Sequence, residues 1–170
     1  NVILMIGDGM GWNSLAILRH YTFGAATAPP NRKLAMESLP VAGLAYTHCA
    51  DNLVTDSAAA ATALWTGHKT RRGYLSVDPA GGRLKTLLEE AAAAGKATGV
   101  VTSVPVTHAT PAAAYAHQSG RSDYAAVFRD LLATRPDLAL GSGAEPRNRY
   151  LPPDFAARAA AAGYTVCRNL

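Results

Sequence analysis

The sequence predicts an α/β fold, a three-layer sandwich in which helices cover both faces of a mainly parallel central sheet. Short apolar runs of strand length alternate along the chain with longer alanine-rich or amphipathic stretches of helix length. Strands buried on both faces read as continuous apolar runs, and parallel strands need helical crossovers between them. In such folds ligands bind at the carboxyl ends of the strands, so the segments after each strand are the candidate sites.

The elements follow in chain order. The predicted strands are Val2–Ile6, Gly43–Thr47, Ala97–Thr102, Leu138–Leu140 and Tyr164–Cys167. The predicted helices are Trp12–Tyr21, Ser57–Trp65, Leu84–Ala94, Pro111–His117, Asp123–Ala133 and Pro153–Ala162. Gly95 and Gly163 follow alanine-rich helices, where a left-handed residue favours a helix end. Ala25–Lys33 and Gly141–Pro153 have the composition of loops, and we interpret all 170 residues as part of one domain.

Composition excludes several function classes. The net charge is +4 and no segment interleaves basic with aromatic residues, so no nucleic-acid surface is predicted. No apolar stretch is long enough to span a membrane. Cys49 and Cys167 are too few and too far apart for a disulfide framework or a zinc cluster, and two largely buried free thiols are favoured over one long-range disulfide.

The first candidate segment is "GDGMG", after the first predicted strand. A dinucleotide fingerprint needs a third glycine where Trp12 stands, and the carboxylate of Asp8 would repel a pyrophosphate. Glycines beside an aspartate at a strand end leave room for a cation, which makes Asp8 a candidate metal ligand. The alternative is that Asp8 caps the following helix.

The second segment is "VTDSAAAATAL". Ser57 stands at the predicted start of a helix, where unpaired N–H groups and the helix dipole favour a phosphate group. Asp56 and Ser57 could instead serve only as capping residues. A nucleophilic serine needs activation, and because no Ser, His and Asp order is evident, a metal would have to supply it.

The third segment is "VTHATPAAAYAHQSGR". His108 and Thr110 stand on a loop ahead of Pro111, a residue that suits the start of a helix. A hydroxyl and an imidazole could line a cation site directly or through water. Arg121 could bind a phosphate with two parallel hydrogen bonds. Taken singly, a residue such as His108 is more often a loop residue whose hydrogen bonds are satisfied, and one such as Arg121 is more often a solvated residue at a helix end.

Together the three segments resemble the alkaline phosphatase family: "IGDGMG", then "VTDSAAAATAL" with "TGHKT", then "LLEEAAAAGKATGVVTS" running into "THATPAAAYAH". The resemblance implies hydrolysis of phosphate monoesters. It implies that Ser57 is the nucleophile, held against zinc and converted to a phosphoserine. It also implies that Arg121 binds the phosphate and that Asp56 orients Arg121.

The resemblance further implies two Zn²⁺ sites and one Mg²⁺ site. Asp8 resembles the carboxylate that bridges a zinc and the magnesium site, and Ser57 is the ligand held by zinc. Thr110 matches the hydroxyl ligand of magnesium. His108 stands where members carry Asp or His, and a histidine there suggests a contact through water. Family members take further Glu, Asp and His ligands from their second half, so only a partial metal site is expected in this chain.

We therefore expect the N-terminal part of an alkaline phosphatase domain, inactive or nearly so by itself. The resemblance implies a phosphate monoester or inorganic phosphate as ligand, a periplasmic or secreted location, and homodimerisation or association with the missing C-terminal half through an exposed sheet edge. Two alternatives stay open: another metal-dependent phosphotransfer enzyme of the same superfamily, and a non-catalytic module that binds phosphate or metal.

Overall fold

The structure is a computed structural model that describes residues 1–24, 32–145 and 148–167. The chain forms two compact units, Asn1–Tyr46 and Thr47–Leu170. Most of the predicted loop Ala25–Lys33, and two residues of the predicted loop Gly141–Pro153, lie outside the described residues.

The first unit contains one α-helix and one short 3-10 helix. Helix α1 spans Trp12–Phe23 and ends at Gly24, whose φ is +85°. The 3-10 helix spans Ala35–Ser38. The carboxylate of Glu37 accepts a hydrogen bond from the Leu34 N–H at 2.7 Å and forms an ion pair with Arg19 of α1. These contacts connect α1 to the 3-10 helix within the unit.

The second unit contains a two-stranded parallel sheet. Strand β1 (Gly99–Pro105) pairs with β2 (Leu138–Ser142), and the register runs from Gly99 opposite Leu138 to an irregularity before Pro105. Gly141 is required at this contact, because a Cβ there would lie 2.7 Å from Thr102 Cγ2 and 2.8 Å from the Val104 carbonyl oxygen. The parallel pairing with helical crossovers confirms the predicted α/β class.

Three predicted strands are wrong within the described residues: Val2–Ile6, Gly43–Thr47 and Tyr164–Cys167 form no strand. Ile3 is 87% exposed and Leu44 is 88% exposed, although both are large apolar residues. An apolar run identifies a segment suited to burial, but a strand also needs a neighbour that satisfies its N–H and C=O groups. None of these three runs is paired with a neighbouring strand among the described residues.

Five helices belong to the second unit: α2 (Ser57–Thr66), α3 (Leu87–Ala93), α4 (Ala109–Ala112), α5 (Tyr124–Thr134) and α6 (Phe155–Ala161). Helices α2 and α3 pack against each other, and α2 also packs against α4. The core contains the small residues of α2 and α4, the turn after α4, and the apolar face of α5. Alanine at the α2–α4 contact lets the helix backbones approach closely.

Two predicted helix boundaries need correction. The helix predicted from Leu84 begins at Leu87, because the Thr86 hydroxyl accepts the Glu89 N–H at 3.2 Å while the Glu89 carboxylate accepts the Thr86 N–H at 2.9 Å. The helix predicted over Pro111–His117 spans only Ala109–Ala112 and continues as a turn. Gly95 (φ +71°) and Gly163 (φ +88°) take the predicted left-handed conformation.

Both cysteines are free, Cys49 buried and Cys167 exposed, so the prediction of two buried thiols holds only for Cys49. Over the described part of the chain, the helices are too short or too polar to cross a membrane.

Candidate active site

Asp56 joins three parts of the second unit. It is the N-cap residue of α2, and its Oδ1 accepts hydrogen bonds from the Ala59 N–H and the Gly73 N–H, both at 3.1 Å. Its Oδ2 accepts a hydrogen bond from Arg121 Nη1 at 2.9 Å. The capping role and the contact with Arg121, considered separately in the sequence, are therefore made by the two oxygens of one carboxylate.

The Asp56–Arg121 ion pair is largely shielded from solvent. The side chain of Asp56 is 13% exposed and that of Arg121 is 27% exposed. Burial alone would raise the pKa of Asp56, but the hydrogen bonds from Ala59, Arg121 and Gly73 outweigh it and hold the pKa below its usual value. Asp56 is thus kept as the carboxylate that holds Arg121.

Ser57 is the first residue of α2 and is half-buried. The next two residues, Ala58 and Ala59, are buried and carry no more than a methyl group. The start of a helix exposes N–H groups and a partial positive charge, which favour an anion bound beside it. Ser57 therefore stands at a helix terminus of the kind that favours anions, next in sequence to the aspartate that holds Arg121.

Arg121 is anchored through its backbone as well as its side chain. Its N–H donates to the Gly73 carbonyl oxygen at 2.8 Å. Leu75 and Gln118 exchange two backbone hydrogen bonds, at 2.8 and 3.0 Å, in an isolated antiparallel bridge. The segment before Arg121 is thus paired with the segment that starts at Gly73.

His108 and Thr110 follow the carboxyl end of β1, as expected for this fold class. His108 is the N-cap residue of α4, and its N–H donates to the Pro105 carbonyl oxygen at 2.8 Å. Its ring meets the ring of Tyr150 edge to face, with centroids 6.4 Å apart. Thr110 lies on α4, the short helix that packs against the Ser57 helix α2.

Few of the side chains near the start of α4 offer an oxygen to a metal ion. Thr110 Oγ1 is buried and has no hydrogen-bond partner among the described residues, so this hydroxyl is available to a ligand. Hydroxyl and carboxylate oxygens suit Mg²⁺. Within residues 1–24, 32–145 and 148–167, no group of three or more His, Cys, Asp or Glu side chains could hold a metal ion. The Thr110 hydroxyl suits a hard cation, and the described residues form no complete zinc site.

Asp8 belongs to the first unit, where it lies exposed in a tight turn. Gly9 has a φ of +67°, and the Met10 N–H donates to the Gly7 carbonyl oxygen at 3.2 Å. The prediction that Asp8 could be the N-cap residue of α1 is wrong, because Gly11 occupies that position.

The sequence analysis missed Gly73 and Asp130. Gly73 contacts both Asp56 and Arg121, as described above. Asp130 Oδ2 accepts hydrogen bonds from the His117 N–H and from Gln118 Nε2, both at 2.8 Å, and so fixes the segment before Arg121 to α5. A glycine after two arginines signals a turn, but nothing in the sequence shows which residues that turn contacts.

Comparison with known proteins identifies the family. The family model described as Alkaline phosphatase matches residues 1–135. Alkaline phosphatase H of Pseudomonas aeruginosa is 36% identical to the chain, with 100% of the chain and 41% of the relative covered. The streptomycin-6-phosphate phosphatase of Streptomyces griseus is 38% identical, with 99% of the chain and 43% of the relative covered.

Solved structures agree. The cold-active alkaline phosphatase of a psychrophilic Shewanella species matches with a TM-score of 0.84 and 36% identity, over 94% of this chain and 39% of that one. A histidine-to-aspartate mutant of TAB5 alkaline phosphatase, with Mg bound in its M3 site, matches with a TM-score of 0.68 and 29% identity, over 75% of this chain and 37% of that one. The chain spans about two fifths of the length of these proteins. The chain belongs to the alkaline phosphatase family.

Proposed function

We propose that this chain supplies the nucleophile and the phosphate-binding arginine of a phosphate monoester hydrolase. The observation that carries the proposal is the Asp56 carboxylate, which caps the helix that begins at Ser57 and binds Arg121 at 2.9 Å. The Asp56 side chain thereby connects the helix that begins at Ser57 to Arg121, the positively charged side chain that would bind the substrate. The family membership and the position of Ser57 at a helix N-terminus support the same assignment.

In the proposed reaction Ser57 Oγ attacks phosphorus in line with the leaving oxygen. The Oγ–P bond forms as the Ser57 hydroxyl loses its proton to solvent. The bond from phosphorus to the ester oxygen breaks, and the alkoxide leaves with the electron pair of that bond and takes a proton from water to become the alcohol. Arg121 donates to the phosphoryl oxygens, and its pairing with Asp56 fixes the direction in which the guanidinium donates. Water then cleaves the phosphoserine, which releases inorganic phosphate and restores the Ser57 hydroxyl.

Divalent ions, two Zn²⁺ and one Mg²⁺ in this proposal, supply Lewis-acid stabilisation of the reacting oxygens when they are bound. From the family resemblance alone, Ser57 is proposed as a ligand toward zinc, Thr110 as a ligand toward magnesium, and Asp8 as a ligand toward both kinds of ion. The buried, unpartnered hydroxyl of Thr110 supports its assignment. His108, at the N-terminus of the same helix, is proposed to contact the magnesium site through water.

The first test compares variants of the protein expressed from its complete gene, with p-nitrophenyl phosphate as substrate. Ser57→Ala should abolish turnover while leaving inorganic phosphate to bind. Arg121→Ala should lower kcat/KM by about 100-fold, because removal of one donor to a developing oxyanion has effects of that order. Arg129→Ala is the matched control, since Arg129 is an exposed arginine on α5. Full activity in Ser57→Ala would refute the proposal.

The 170 residues by themselves are proposed to be inactive or nearly so, because the described residues hold no group of three metal-binding side chains. Zinc-dependent turnover of p-nitrophenyl phosphate by the purified 170-residue chain would contradict this. If the complete protein binds phosphate yet never turns over, the non-catalytic module is the correct alternative. Periplasmic or secreted location, and association through a homodimer or with a C-terminal half, are proposed from the family alone.

A further inference from the structure

We propose that Gly73 is a positioning residue for Arg121. This inference rests on the proposed function, because it takes Arg121 to be the group that binds phosphate. The N–H of Gly73 donates to Asp56 Oδ1 at 3.1 Å, and the C=O of Gly73 accepts the Arg121 N–H at 2.8 Å.

The contacts form a closed ring of three residues. Asp56 Oδ1 binds the backbone of Gly73, Gly73 binds the backbone of Arg121, and the Arg121 side chain returns to Asp56 Oδ2 at 2.9 Å. The N–H and the C=O of one residue are related by its own φ and ψ. The backbone angles of Gly73 therefore set where the backbone of Arg121 lies relative to the carboxylate that orients its side chain.

The angle at Gly73 is one that glycine adopts readily and other residues rarely do. Its φ is +83°, in the left-handed region. A Cβ built at Gly73 would meet no atom within 4 Å, so a larger residue would act through backbone conformation and not through a clash. A residue that relaxes toward negative φ would turn either the N–H away from Asp56 or the C=O away from Arg121.

The segment after Gly73 is fixed on both sides and cannot absorb such a change. Leu75 and Gln118 exchange backbone hydrogen bonds at 2.8 and 3.0 Å. The N–H of Ser76 donates to Thr62 Oγ1 of α2 at 2.8 Å, and both of these side chains are fully buried. A conformational change at Gly73 would therefore pass to the phosphate-binding arginine.

The experiment compares Gly73→Ala with Gly95→Ala in the protein expressed from its complete gene. Gly95 is a matched control, because its φ is +71° and a Cβ there also meets nothing within 4 Å. Both alanine variants should lose similar thermal stability. Only Gly73→Ala should weaken inhibition by inorganic phosphate and raise KM for p-nitrophenyl phosphate, each by about tenfold, the effect of losing one hydrogen bond to a charged group.

Two further variants separate the possible failures. Gly73→Asn should recover phosphate binding to within about threefold of wild type, because asparagine tolerates the left-handed conformation better than other residues. This variant also keeps the test open if Gly73→Ala does not fold. Arg121→Ala is the reference: if it leaves phosphate inhibition unchanged, the proposed function fails. If Arg121→Ala weakens phosphate binding but Gly73→Ala matches Gly95→Ala, or Gly73→Asn binds no better than Gly73→Ala, the role of Gly73 is refuted.

Discussion

Replacing Asp56 by alanine should destabilise the chain more than the loss of a helix cap can explain. The change removes the cap of α2, the acceptor for the Gly73 N–H and the partner of Arg121. Loss of a capping side chain costs about 1 kcal/mol. Loss of a hydrogen bond to a charged group costs about 1.5–3 kcal/mol. Because these contacts share one carboxylate they are not additive, and we expect about 2–4 kcal/mol in total.

Urea unfolding of matched variants separates the helix cap from the contacts of Asp56 with Arg121 and Gly73. Asp123 caps α5 in the same manner, since its Oδ1 accepts the Ala126 N–H at 3.0 Å, so Asp123→Ala should cost only about 1 kcal/mol. Asp56→Asn keeps an oxygen for the cap but removes the charge, and its loss should lie between the two alanine variants. A loss in Asp56→Ala no larger than in Asp123→Ala would refute the coupling of Asp56 to Arg121.

Three other expectations concern pH and packing. The pKa of Asp56 is lower in the folded than in the unfolded chain, so its carboxylate contributes fully to the free energy of unfolding above the unfolded-state pKa of about 4. That contribution is lost as the pH falls through the lower folded-state pKa. In urea unfolding at a series of pH values, the difference in stability between wild type and Asp56→Asn should therefore shrink on acidification. Gly141→Ala should cost about 1–3 kcal/mol by thermal unfolding, because its Cβ would lie 2.7 Å from a β1 side chain, whereas Gly120→Ala, with no atom within 4 Å, should cost little. Tyr115→Phe should cost about 1–2 kcal/mol by urea unfolding, because the buried Tyr115 hydroxyl donates to the Val106 carbonyl oxygen at 2.6 Å; no loss would contradict the hydrogen bond.

Local rules in the sequence identified the helices well. The apolar and alanine-rich patterns located α2, α3, α5 and α6, and the glycines at 95 and 163 marked the ends of α3 and α6. The pattern was less accurate for α4, which was predicted over Pro111–His117 and spans Ala109–Ala112. The start of α3 was misplaced although its signal was present, since Thr86 and Glu89 form a capping box. The capping box therefore indicated the start of α3, but the helical pattern of apolar residues led to a predicted start at Leu84.

The sheet was harder to predict, because strands depend on partners distant in sequence. Val2–Ile6 and Gly43–Thr47 have strand composition but form no strand in the described residues, whereas β1 and β2 pair with each other. The composition of a segment indicates whether it tends to be buried. It does not indicate which neighbouring strand will form hydrogen bonds with its backbone N–H and C=O groups.

For the candidate site, the sequence likewise indicated residues but not the contacts between them. Asp56, Ser57 and Arg121 could be selected from motifs, since their residue types suit a phosphate site. The contact that joins Asp56 to Arg121 spans 65 positions and needed the fold. Gly73 could not be found from the sequence, because only the fold shows that its backbone N–H and C=O bind Asp56 and Arg121.

The proposal that Ser57 is the nucleophile is tested most directly by trapping the phosphoserine intermediate. The protein expressed from its complete gene would be mixed with p-nitrophenyl phosphate, quenched in acid and digested, and its peptides would be analysed by mass spectrometry. We expect the wild-type peptide to carry one phosphoryl group on Ser57, and the corresponding peptide of Ser57→Ala to carry none. Turnover by wild type with the phosphoryl group on another residue, or undiminished turnover by Ser57→Ala, would contradict it.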